Sequence, residues 1–216
     1  SSMALIWLLV VVPYLLAGVV AGRGTKQPKE DTHFPLALDW AMNWGEWGPQ
    51  AFCPQGTYAY AFELKVESEA AIDDTSMNGI MLYCRAPQDV GHDGVKPKVG
   101  TLEFTVTSTV QKWGDWQGKR ECPEGFLTGV MMKSEAKQGI LDDTAANDLE
   151  MQCNWSDFTI NGGGNPWGTW SSYTTCPQGW AICGIETKVA AASAMDDTAL
   201  NNVIMYCCDA AASLNS

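Results

Sequence analysis

The chain has 216 residues, 46% of them hydrophobic, with 13 basic against 25 acidic side chains and a formal net charge of −12. That balance argues against phosphate-backbone binding, which takes clustered Lys and Arg, and against anionic membrane surfaces. The length is enough for one sizeable core, and eight cysteines predict disulfides made in an oxidising compartment.

The apolar run "ALIWLLVVVPYLLAGVVA" starts at Ala4 and is interrupted by Pro13. Small residues at Val19 and Ala21 make 1–21 read as a signal peptide cleaved after Ala21. A membrane anchor is the competing reading, but the run is barely long enough to span a bilayer and contains a proline. The mature protein is then a single domain over 22–216, secreted and off the membrane. Phe34, Leu36, Leu38 and Trp40 alternate with other residues, which predicts a first strand.

From Trp44 a thirteen-residue phrase appears three times: "WGEWGPQAFCPQG", "WGDWQGKRECPEG" from Trp113 and "WGTWSSYTTCPQG" from Trp167. The copies align without gaps over 44–84, 113–153 and 167–207. In each, the first Cys follows the first Trp by 9 residues and a second Cys follows by a further 31. Internal repetition of this kind builds a fold from one supersecondary unit. The unit reads as strand, WGxW segment, long strand, loop and closing strand. "EFTV" (Glu103–Val106) and "DFTI" (Asp157–Ile160) supply the short strands before copies two and three. Residues 85–100 are a Pro/Gly-rich insertion, and "NGGG" at 161–164 is a turn.

Within the long segments the period is two. Tyr58, Tyr60, Phe62, Leu64 and Val66 predict one buried strand face, an alternation that the second copy breaks at Lys133. The closing strands alternate cleanly as Ile80-Leu82-Cys84, Leu149-Met151-Cys153 and Val203-Met205-Cys207. Eight cysteines allow 105 connectivities. Repeat symmetry favours Cys53–Cys84, Cys122–Cys153 and Cys176–Cys207, leaving Cys183 with Cys208. With no C-x-x-C pair and no histidine nearby, a zinc site is a poor reading.

Three antiparallel sheets that each bury one face can share a core about a common axis. The combination WGxW-x5-CPxG, DDTxxN and the fixed cysteine spacing resembles the vitelline membrane outer layer protein family, from about Leu36 to Cys208. The resemblance implies an all-β fold, a β-prism of three Greek-key antiparallel sheets with pseudo-threefold symmetry. It also implies secretion, a place in egg envelopes or other extracellular coats and fluids, and an association with N-acetylglucosamine oligosaccharides.

Three sets of repeated residues are candidates for chemistry. Trp44, Trp47, Trp113, Trp116, Trp167 and Trp170 are able to stack on sugar rings, but placement repeated three times favours core and corner packing. Asp73, Asp74, Asp142, Asp143, Asp196 and Asp197, with Thr75, Thr144, Thr198, Asn78, Asn147 and Asn201, lie between long and closing strands. There they read as turn-forming side chains rather than a calcium site, since no glycine-punctuated calcium loop is present. Glu46 and Asp115, at position three of WGxW, are the only candidates for a catalytic carboxylate pair; Thr169 replaces them in copy three. Asn154 opens a glycosylation sequon. No phosphate cradle or nucleophile motif is present, and no cofactor or nucleic-acid partner is expected. The sequence thus predicts a structural or glycan-associating protein whose partners are glycans or other coat proteins. The alternative is a glycan-modifying transferase or hydrolase.

Overall fold

Alternation at period two produces strands throughout. The computed structural model describes residues 32–38, 45–67, 77–87, 102–135, 146–154, 158–190 and 200–210, all within one unit, Asp31–Ser216. The signal-peptide assignment, the Asp-Asp-Thr triplets and most of the insertion lie outside these residues. Copy one contributes β2 (Glu46–Trp47), β3 (Ala51–Phe52), β4 (Tyr58–Val66) and β5 (Met77–Arg85). Copy two contributes β7 (Asp115–Trp116), β8 (Arg120–Glu121), β9 (Leu127–Ser134) and β10 (Ala146–Cys153). Copy three contributes β12 (Thr169–Trp170), β13 (Thr174–Thr175), β14 (Trp180–Val189) and β15 (Leu200–Asp209). The short strands are β1 (Phe34–Ala37), β6 (Phe104–Thr107) and β11 (Thr159–Asn161).

These form three antiparallel sheets, and the sheets are out of phase with the sequence repeats. The first has the order β6-β5-β4-β7, with β8 also on β4; the second has the order β11-β10-β9-β12, with β13 on β9. The third, here the seam sheet, has the order β1-β15-β14-β2, with β3 on β14. The first two orders are Greek keys, because the fourth strand returns to lie beside the long one. The seam sheet has the same spatial order, with its two outer strands supplied by the beginning of the prism. The WGxW and cysteine strands of each copy therefore complete the sheet begun by the copy before it. Those of copy one complete the sheet begun by copy three.

Two local shifts depart from the simple alternation. A bulge at Tyr60 lies between the pairs Ala59↔Cys84 and Ala61↔Tyr83. It turns Ala59, rather than Tyr58 or Tyr60, into the core with Phe62, Leu64 and Val66. In copy two, Cys153 pairs with Leu127, one residue earlier than the gap-free alignment gives. Val130, Met132 and Ser134 thus occupy the positions of Phe62, Leu64 and Val66, and Lys133 falls in line with Lys65 and Lys188. The break at Lys133 is a one-residue slip, which exchanges the faces of a strand.

The inward faces of all three sheets form one cluster, including Phe62, Leu82, Met132, Met151, Ile182 and Met205. One end is plugged by a second cluster holding Tyr58, Phe126 and Ala181, which occupy equivalent positions in the three copies. The Tyr58 and Phe126 rings meet edge-on at 5.5 Å, and the Tyr58 hydroxyl donates to the Asp209 carbonyl at 2.8 Å.

The disulfides are Cys53–Cys84, Cys122–Cys153, Cys176–Cys207 and Cys183–Cys208. Because the sheets are out of phase with the repeats, each of the first three staples two sheets together. Cys53 follows β3 of the seam sheet while Cys84 lies in the first, and the same step recurs around the prism. Each closure contributes roughly 3–4 kcal/mol in the chain-entropy model.

The glycine of WGxW has a structural cause. Gly45, Gly114 and Gly168 have φ of +92°, +76° and +89°. A Cβ at each would lie 2.2 Å from the Val189 carbonyl oxygen, 2.5 Å from the Val66 carbonyl carbon and 2.3 Å from the Ser134 carbonyl oxygen. Backbone meets backbone where one copy closes on the sheet of the last. Gly56 has a similar φ of +79° but nothing within 4 Å. Gly56→Ala should therefore cost about 1–2 kcal/mol, the left-handed penalty alone. Gly114→Ala should cost at least about 2 kcal/mol more, through overpacking against backbone. Urea unfolding of the two variants checks the difference, and equal losses would refute the contact argument.

Candidate functional site

The five described WGxW tryptophans do not fill the core. Trp47, Trp113, Trp116 and Trp167 are 38%, 37%, 36% and 51% exposed, Trp170 is half-buried, and Trp44 lies outside the described residues. The expectation of core packing is corrected for the described five. The physical reason is the glycine between the tryptophans. It takes the close backbone contact, so the second indole of each copy, at Trp47, Trp116 and Trp170, stands off on a two-residue edge strand. Trp47, Trp116 and Trp170 face lysines across the ladder, in the pairs Lys188↔Trp47, Lys65↔Trp116 and Lys133↔Trp170. Lys188 and Lys133 place their ammonium groups 5.6 Å from the Trp47 and Trp170 ring centres. Lys65 instead donates to the Gln111 and Lys112 carbonyls at 2.8 and 2.9 Å. Lys112 lies over Trp113 at 4.0 Å. The result is an indole in one register at the edge of each of three sheets, exposed at Trp47 and Trp116 and half-buried at Trp170, with a lysine ammonium beside Trp47 and Trp170.

Glu46 and Asp115 sit beside Trp47 and Trp116 on the same edge strands, and both are exposed. They belong to different sheets, and no hydrogen bond or ion pair joins them among the described residues. Asn78, Asn147 and Asn201 of the DDTxxN motif are buried near the start of the closing strands. The Asn78 and Asn147 carbonyls accept the Gln111 and Asn165 N–H groups at 2.7 and 2.8 Å. Asn154 is half-buried, and its Oδ1 accepts the Phe126 N–H at 2.9 Å. His33, Cys183 and Cys208 bring three metal-ligand atoms within 4.8 Å of one another. The two sulfurs are bonded to each other, however, and offer no thiolate.

A polar cluster that the sequence reading missed covers the outer face of the first sheet. Glu103, just before β6, accepts from the Tyr60 hydroxyl, from Arg85 at 2.9 Å and from Lys119 at 3.2 Å. Arg85 and Lys119 lie over the Tyr60 ring at 4.5 and 5.4 Å, and Lys119 also lies over Tyr83 at 5.0 Å. Glu63 accepts from the Tyr83 hydroxyl at 2.6 Å and from the Gly118 N–H at 2.7 Å. Burial and the Glu103 carboxylate push the Tyr60 hydroxyl up to about 12. Burial also raises Glu103, but donors and charge from Tyr60, Lys119 and Arg85 outweigh it and hold the carboxyl below its ordinary range. Lys119 moves up, because Tyr60 and Glu103 outweigh its own burial.

The seam sheet carries Gln50 where the first sheet has Lys119. Gln50 donates to the Tyr206 hydroxyl at 2.7 Å and to Glu186 at 3.2 Å, while Tyr206 donates to Glu186 at 2.5 Å. On the second sheet Tyr173 takes that place and donates to Glu150 at 2.8 Å. One location thus holds different residues on each sheet. The sequence marks that location by variation between copies, at Gln50, Lys119 and Tyr173, and not by identity.

Residues 36–210 match the family model described as vitelline membrane outer layer protein I. The chain belongs to this family. A vitelline membrane outer layer protein 1 homolog of Homo sapiens is 34% identical over 170 residues, covering 76% of this chain and 78% of that one. The Mus musculus homolog is 32% identical over the same shares. Among solved structures, Calystegia sepium agglutinin aligns with a TM-score of 0.48 at 12% identity, over 84% of this chain and 98% of its own. A mannose-binding jacalin-related lectin from Ananas comosus aligns with a TM-score of 0.47 at 11% identity, over 81% and 96%.

The lowered pKa of Glu103 gives this family member a testable acid dependence. A depressed carboxyl stabilises the fold above its unfolded pKa, and that contribution disappears as pH falls through the folded value. Glu103→Gln should lose about 1 kcal/mol at neutral pH, a figure discounted for partial exposure, and converge with the parent in acid. Urea unfolding across a pH series measures this. A difference that stays constant with pH would show that Glu103 acts by packing alone.

Proposed function

We propose that this chain is a secreted, non-catalytic coat protein that associates with N-acetylglucosamine-containing glycans through its WGxW tryptophans, residues 1–21 being removed as a signal peptide. The observation that carries the reading is the second WGxW indole, which stands in equivalent register at the edge of each sheet, exposed at Trp47 and Trp116 and half-buried at Trp170. A purely architectural tryptophan would bury its large apolar area, whereas an exposed ring offers a flat face for the C–H surface of a sugar. Glu46 and Asp115 supply hydroxyl acceptors beside two of the rings, and Thr169 beside the third. The family's name places relatives in the outer layer of an egg envelope, which supports an extracellular coat as the setting.

Catalysis on a glycosidic bond takes two carboxyls about 5–9 Å apart on either side of it. Glu46 and Asp115 lie on different sheets, each beside its own tryptophan, which supports separate binding roles. The net charge of −12 favours neutral sugars over anionic ones.

Titration calorimetry with chito-oligosaccharides should show weak binding that Trp47→Ala, Trp116→Ala and Trp170→Ala each weaken, together by about tenfold, or about 1.4 kcal/mol. Unfolding midpoints should stay close to the parent's. The Glu46→Gln, Asp115→Asn double variant should retain most of the affinity, because amides still hydrogen-bond. Neither parent nor variant should turn over the sugar. Absence of heat at millimolar sugar would sink the glycan reading, and turnover abolished by the amides would replace it with the enzyme reading.

A further inference from the structure

The seam sheet is built unlike the other two. All strands of the first sheet come from one stretch, 58–121, and all those of the second from 127–175. The seam sheet joins β14 and β15 to β1, β2 and β3 from the far end of the chain. No disulfide crosses that junction. Cys53 behind β3 bonds to Cys84 in the first sheet, Cys207 in β15 bonds to Cys176 beside the second, and Cys183–Cys208 joins β14 to β15.

Backbone pairing and side-chain packing are what hold β1–β3 in place. Phe34–Ala37 pair with Ile204–Cys207, Glu46 and Trp47 with Val189 and Lys188, and Ala51 and Phe52 with Ile185 and Gly184. Leu36 is fully buried, and His33 stacks on Phe52 at 4.1 Å. In the first and second sheets the corresponding edge strands follow their partners within one continuous stretch of chain. At the seam the two halves are connected only through the rest of the prism, so the local tether that favours reclosing is missing.

We propose that this seam is an assembly point for further copies of the same chain. β1–β3 of one molecule would dock on β14 and β15 of the next, in the register they hold within the monomer. The Cys53–Cys84 bridge fixes the hinge, so the exchanged segment is the part before Cys53. Every contact of the closed monomer is reproduced between copies, which makes strand exchange a low-cost route to oligomers. Donor and acceptor are different surfaces, so the contact is heterologous and propagates head to tail unless a ring closes. A molecule that gives up its donor leaves the β14 edge with unpaired backbone groups, which the next donor satisfies. The proposal rests on topology and is independent of glycan binding.

The test mixes ordinary and heavy-isotope chains at high concentration, cycles them through denaturant below the unfolding midpoint, and reads the products by native mass spectrometry. The parent should give mixed-isotope oligomers, and Leu36→Ala, which loosens the seam, should give more. Ala37 and Ile204 stand opposite each other across the junction. The oxidised Ala37→Cys, Ile204→Cys double variant should therefore lose the oligomers. Should that variant misfold, mixing the two single variants reads the same contact, because exchange lets the thiol introduced by Ala37→Cys in one chain bond to that introduced by Ile204→Cys in another. Monomer alone from both the parent and Leu36→Ala would overturn the proposal. So would oligomers that persist undiminished in the locked variant, or mixed single variants that never cross-link.

Discussion

Three sheets, each able to bury only one face, have to share a single core, and the rest of the structure follows from that constraint. A long strand and a closing strand make a hairpin with one apolar side, too little to be stable alone. Three such hairpins facing inward supply the core that runs from Phe62 through Met132 to Ile182. Their outer edges still need backbone partners. Each hairpin finds them in the WGxW and cysteine strands of the following copy, which fastens every sheet to its neighbour. The disulfides reinforce those corners: a bridge that lies within one sequence repeat spans two sheets in space.

Repetition in this chain marks two physical roles. The glycines of WGxW are repeated because a side chain there would strike the carbonyl end of the preceding long strand. The described tryptophans stand at the edges of the sheets rather than in the core, and lysines of the long strands they cap lie beside Trp47 and Trp170. A threefold residue is thus either required by a corner or displayed by it. The outer faces follow a third pattern, with Glu103, Tyr60, Arg85 and Lys119 on one sheet and the disulfide Cys183–Cys208 with His33, Gln50 and Tyr206 on another. Those faces differ from sheet to sheet, while the inward faces keep one shared apolar cluster.

The seam gives the prism a direction. Two sheets are continuous in sequence and one is assembled from both ends of the chain, so the fold is cyclic in space while the polypeptide is linear. The junction of the ends is paired like the other corners but lacks their tether. That combination of full complementarity and missing covalent connection makes one corner of an otherwise symmetric body different from the rest.

The sequence by itself determined the strand period and the three copies and favoured one cysteine pairing, because these depend on spacing along the chain and on which residues alternate; the prism is what the family resemblance implied. It did not determine which sheet each strand joins, since backbone hydrogen bonding is blind to side-chain identity and β7 pairs as readily with a preceding strand as with its own copy. Nor did it reveal the slip at Lys133, where compensating shifts in two turns leave the cysteine spacing unchanged while exchanging a strand's faces. The exposure of the tryptophans and the meeting of Glu103 with Tyr60, Arg85 and Lys119 belong to tertiary structure alone. Burial and contact between residues distant in sequence are settled only when the sheets close on their common core.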